Sequence, residues 1–152
     1  MEEFDYRSEY GGYTTCEDLL LEVQNTHKIV QNLRINKDIA ELSTYVNHLV
    51  FLHLYRMWNW IVPMEKYTVH IPILGKMLRW HSFFIKKLQS EKRSVYFTKR
   101  RDGDIIFWRT QTLVDAYYSW VDILLQASSK TIDLHEKLIK ICKEMPIEIW
   151  EE

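Results

Sequence analysis

Interruptions are scarce in this sequence: four glycines and three prolines serve 152 residues. Gly and Pro are the residues that most readily end a regular element, so a chain this poor in them must fold into a few long elements. Apolar residues recur at three- and four-residue steps over most of the length, which makes those elements helices. Hydrophobic side chains make up 47% of the chain and aromatics 14%. That is enough to bury one ordinary core and argues against a disordered chain. The expected fold is mainly α: an irregular bundle of about five helices in a single domain over 1–152, with one β-hairpin inserted at about residues 95–109.

The local signals divide the chain as follows. Residues 1–13 form an acidic, aromatic arm without helical or strand period, and residues 147–152 an acidic tail. Thr14 and Glu17 have capping-box spacing, and Leu19, Val23, Val30 and Leu33 predict a first helix from Cys16 to Leu33. Asn36 and Lys37 mark a break. Ile39, Leu42, Val46, Leu49, Val50, Met57 and Trp60 then form the stripe of a central helix that stops at Pro63. A connector follows, in which Tyr67 to Ile71 has residue types suited to extended chain. Leu74, Met77, Leu78, His81, Phe84, Ile85 and Leu88 fall within one arc and predict a third helix to about Ser90. VYFTKR and DIIFWR flank Asp102-Gly103, a two-residue hairpin signal. Thr112 with Asp115 predicts a fourth helix to about Ala127, and Asp133 with Glu136 a fifth that stops at Pro146.

Charge is unevenly spread along these elements. Residues 28–109 hold 15 Lys and Arg against 6 Asp and Glu, whereas residues 1–27 hold 1 against 7 and residues 110–152 hold 4 against 8, so a net charge of −1 conceals a polarised molecule. Such separation steers association with oppositely charged partners. On a helical wheel begun at Lys76, the apolar side of the third helix lies at about 80° to 200°, Arg79, Lys86 and Arg93 at about 260° to 300°, and Lys87 near 20°. Phe83, at about 340°, stands among those cations, and Trp80 borders them at about 40°. In the hairpin, Lys99, Arg100 and Arg101 stand near Trp108. Cations interleaved with rings suit single-stranded nucleic acid, because the cations neutralise phosphates while the rings stack on bases. A basic ribbon also fits a duplex groove. The competing explanation is that the hairpin covers Phe83 and Trp80 and leaves the cations solvated, with the tip charges guarding a strand edge against aggregation.

Other chemistry is sparse. Cys16 and Cys142 match no metal or redox spacing and read as reduced thiols of an intracellular, cytoplasmic protein. Met1 to Tyr13 lacks the apolar core of a secretory leader. Leu42 to Met64 carries Arg56, His48, His53, Asn47 and Asn59, which suits a buried helix and not a membrane span. His53 and His81 fall on apolar stripes, where hydrogen-bonded core histidines facing each other are expected in place of a metal site. No catalytic motif is present, so neither an enzyme nor a cofactor is expected. Trp58 and Trp60 lie about 200° apart on a helix, so either that helix is surrounded or Trp58 meets a partner.

These readings converge on a small non-catalytic protein that binds nucleic acid or a nucleoprotein complex through Lys76, Arg79, Phe83, Lys86, Lys87, Arg93, Lys99, Arg100, Arg101 and Trp108. The alternative is a protein-protein interaction module or complex subunit that docks an acidic partner. A membrane partner is not expected. The acidic ends could also fold over the basic centre as a lid.

Overall fold

A computed structural model describes residues 16–94 and 111–144, with side chains over 16–87 and 114–144. The described residues are almost wholly helical and form four rods. The first is α1 (Cys16–Asn36). The second is continuous but changes pitch along its length: α2 (Ile39–Phe51), a π-helical stretch (Leu52–Met57), α3 (Trp58–Ile61) and a 3-10 stretch (Val62–Tyr67). The third is α4 (Ile73–Ser94) and the fourth α5 (Gln111–Glu144). The expected hairpin at 95–109, the arm 1–13 and the tail 147–152 lie outside the described residues.

The break after α1 falls where Asn36 and Lys37 placed it. Lys37 adopts φ 56°, and the N–H groups of Lys37 and Asp38 return to the carbonyls of Arg34 and Leu33 at 3.3 and 3.1 Å. This pattern closes a helix with a left-handed residue, a place usually held by glycine. Tyr118 Oη donates to the Lys37 carbonyl at 3.2 Å and pins the turn to α5. Asp38 then caps α2 by accepting from the Glu41 N–H.

The second rod does not stop at Pro63. Proline lacks an N–H to give, but a first-turn position leaves that donor unneeded, and Pro63 sits in the first turn of the 3-10 stretch. Tyr67 to Ile71 is not extended either. Tyr67 ends the 3-10 stretch, and the N–H groups of His70 and Ile71 both return to its carbonyl.

Two helices expected over 112–127 and 133–146 are one. α5 runs 34 residues without a break, about 51 Å. The break was expected before Asp133, whose carboxylate with Glu136 has the spacing of a helix start. Two hydroxyls ahead of it are engaged elsewhere: Ser128 Oγ bonds His27 and His53, while Thr131 Oγ1 donates back to the Ala127 carbonyl at 2.9 Å and accepts from Trp80. The Asp133 carboxylate, the expected cap, instead pairs with Lys137 one turn on at 3.0 Å.

α1 packs on α2 and α5, and α4 packs on α5 and the 3-10 stretch. The larger core joins Leu19, Val23 and Val30 to Leu42, Val46, Leu49 and Leu52, then to Tyr117, Val121, Leu124 and Phe84. A second core joins Ile61, Met64, Tyr67, Ile71, Leu74 and Met77 to Leu134, Leu138 and Cys142. Each of the fully buried leucines contributes about 1.5–3 kcal/mol. Arg34 clasps Asp122 with two hydrogen bonds of 2.9 and 3.0 Å, tying α1 to α5 beside Tyr118. Cys16 and Cys142 are free and buried, and Lys143 pairs with Glu17 at 2.9 Å beside them. Trp60 is buried, whereas Trp58 is half-buried with its ring 5.6 Å from that of His81, so the second rod is covered on this side by α4. No helix among the described residues is long and apolar enough to cross a membrane.

Candidate functional site

The outer face of α4 is built by its own period. Met77, His81 and Phe84 point into the core, which leaves Lys76, Arg79, Phe83, Lys86 and Lys87 on the opposite side, all exposed. Phe83 is 55% exposed. Trp80 stands between the two sides: its Nε1–H donates to Thr131 Oγ1 at 2.8 Å, and its ring lies 5.6 Å from Phe83 and 6.0 Å from Phe84. Lys130 of α5 places Nζ 4.0 Å from the centre of the Trp80 ring, a cation over an aromatic face. The Arg79 guanidinium folds back over Gly75, 3.4 Å from where a methyl group on that residue would sit.

A cleft opens where this face meets α5. Trp80, Phe83, Phe84 and Lys87 form one side and Ile123, Gln126 and Ala127 the other, enclosing about 150 Å³. Among the described residues that line it, the walls are apolar apart from the Gln126 amide and Lys87, and none is a carboxylate.

Five of the ten residues expected to bind are therefore placed together: Lys76, Arg79, Phe83, Lys86 and Lys87. Arg93 belongs to α4, but its side chain is outside the described residues, as are Lys99, Arg100, Arg101 and Trp108 entirely. The contributions of Gln126, Ile123 and Lys130 were not foreseen. They arise from packing between helices about forty positions apart, which no periodicity within one helix reports.

Beneath the face runs a seam of four buried histidines, His27, His53, His81 and His135. Ser128 Oγ sits between two of them, 2.8 Å from His27 Nδ1 and 2.7 Å from His53 Nε2. A hydroxyl has one hydrogen, so it donates to one ring and accepts from the other. His81 Nε2 and His135 Nε2 lie 3.3 Å apart, again one donor and one acceptor. Among the described residues, Nδ1 of His53 and Nδ1 of His81 have no hydrogen-bond partner. Burial holds the imidazoles neutral. It lowers His27, pulls His81 down to about 4, and pushes His53 and His135 well below the ordinary range, with neighbouring imidazoles adding to the effect on the last two.

His53 and His81 are thus core residues, as expected, but each finds its hydrogen bond on α5 and not on the other. His27 and His135 were missed. Both carry the same signal, since His27 follows Val23 by four and precedes Val30 by three, and His135 continues the inward row of Ser128, Thr131, Leu138 and Cys142. A serine beside imidazoles resembles a nucleophile with its base, yet Ser128 has no exposed surface, so no substrate reaches it in this fold. No group of three or more His, Cys, Asp or Glu that could hold a metal ion occurs among the described residues.

No family model, curated protein or solved structure matches this chain.

Proposed function

We propose that the protein binds nucleic acid, or a nucleoprotein complex, through the outer face of α4 and its border with α5. The observation that carries the reading is Phe83, more than half exposed on a helix face otherwise occupied by Lys76, Arg79, Lys86 and Lys87. The part of the ring left in water gains nothing for the fold, whereas beside cations it supplies what a polyanion with flat bases requires. The cations act as phosphate partners and the ring as a stacking platform. Arg93, Lys99, Arg100, Arg101 and Trp108 extend the surface in this proposal.

Titration of single-stranded and duplex DNA and RNA at two salt concentrations tests it. With four phosphates neutralised, single-strand affinity should fall roughly 50-fold between about 50 and 200 mM salt. Reversing Lys86 and Lys87 to Glu should abolish most of the binding at the lower salt. Absence of any binding at low salt, or binding indifferent to salt, refutes the proposal.

A second reading, docking of an acidic protein, draws on another patch. Phe51 and Tyr55 are 40% and 58% exposed with rings 5.3 Å apart, and the Arg56 guanidinium lies 5.0 Å from the Phe51 ring centre. Aromatics with arginine are the usual composition of interface hot spots. A stable protein partner lost on changing Tyr55→Ala, together with indifference to nucleic acid, would promote this reading.

A further inference from the structure

We infer that the cleft between α4 and α5 seats one unstacked base of a single strand, so that the protein selects single-stranded over duplex nucleic acid. The inference rests on the proposed function and adds what that proposal leaves open, the form of the polymer.

Three properties of the cleft lead here. Its size admits one occupant group: about 150 Å³ is well below the ~300–1,000 Å³ of sites for drug-sized ligands. It has room for a single ring system. Its walls are of the kind that hold flat heteroaromatic rings, with Trp80, Phe83 and Phe84 on one side facing Ile123 and Ala127 on the other. Unpaired bases are held between aromatic and apolar side chains in this way.

Its polar groups complete the match. Gln126 offers an amide that both donates and accepts, as the edge of a base does. Lys87 lines the cleft and Lys130 lies against Trp80 at its border, so positive charge stands beside the cleft, as the phosphates flanking a seated base require. Among the described residues, no carboxylate lines the cleft to repel them. An acidic peptide would use the cations but leave the aromatic wall without a partner.

A base can enter only after leaving its stack and its pairing partner. In a duplex that costs a few kcal/mol; in a single strand it costs far less, and the preference for single strands follows.

The experiment compares three ligands at about 50 mM salt by fluorescence anisotropy with the full chain: an oligodeoxyadenylate, an abasic sugar-phosphate oligomer of equal length, and the corresponding duplex. The adenylate strand should bind roughly 5- to 150-fold tighter than the abasic one, the span expected for one stacked base. In Phe83→Ala that ratio should fall towards one. Phe83 is largely exposed and its loss leaves the core intact. Gln126→Glu, which sets a carboxylate at the cleft, should lower the ratio as well. A 2-aminopurine placed in the strand should change in fluorescence on binding, and the change should vanish in Phe83→Ala.

Equal affinity for the adenylate and abasic strands would overturn the inference while leaving salt-dependent polyanion binding, and hence the proposed function, in place. A ratio that survives Phe83→Ala and Gln126→Glu would overturn the assignment to this cleft. Failure of all three ligands to bind would remove both proposals, and capture of a glutamate-rich peptide in that case would transfer the surface to a protein partner.

Discussion

Acidification should unfold this protein or bring it close to unfolding, because its interior holds imidazoles as neutral groups. His81 is held down to about 4, and burial pushes His53 and His135 well below the ordinary range. In the unfolded chain each takes up a proton near pH ~6.5; in the folded chain it does not. A folded value below the unfolded one means that stability is complete above about pH 6.5 and declines beneath it, by ~1.4 kcal/mol per pH unit for each imidazole. For His81 the loss on reaching about pH 5 is ~2 kcal/mol. His53 and His135, shifted in the same direction, add to this loss, and His81 and His135, which share a hydrogen bond, titrate as a pair. A domain's whole stability is ~5–15 kcal/mol. Urea unfolding followed by far-UV circular dichroism, repeated in steps from about pH 7.5 to 5, measures the slope. His81→Gln keeps an amide that can hydrogen-bond His135 but carries no titrating group, so its slope should be shallower by about one proton, ~1.4 kcal/mol per pH unit. An identical urea midpoint at both ends of the range, or an unchanged slope in His81→Gln, would refute the reasoning.

Two further substitutions probe the fold. Ser128→Ala removes the hydroxyl shared by His27 and His53 and leaves both rings without that partner; a cost of ~3 kcal/mol is expected from equilibrium unfolding, and a change under ~1 kcal/mol would contradict the network. Lys37→Gly relieves the left-handed backbone at the end of α1 and should raise stability by about 0.5–1 kcal/mol in the same assay, a gain that a loss of stability would rule out.

How far the sequence could be read depends on how local each determinant is. The rise and fall of helical period placed α1, the second rod and α4 within a few residues, because one face of each must enter a core whatever covers it. The turn at Asn36 and Lys37 was legible for a similar reason, since the cap at Asp38 is formed by neighbours in the chain. The segment from Ser128 to Asp133 was misread because the same residue types cap a helix or sit inside one, according to what their side chains meet. Pro63 was misread in the same way: a proline bars further α-helix, but not a change to a tighter pitch.

The amino-acid sequence alone determined that the chain is mainly helical and that one face of α4 mixes cations with Phe83, since both follow from the spacing of residues along a single element. Only the tertiary structure decided that α5 is unbroken, that His27, His53, His81 and His135 form one buried seam, and that Trp80 and Phe83 face Ile123 and Gln126 across a cleft. Those outcomes depend on which helices meet and at what height, and such contacts are settled by side chains far apart in the chain competing for the same interior.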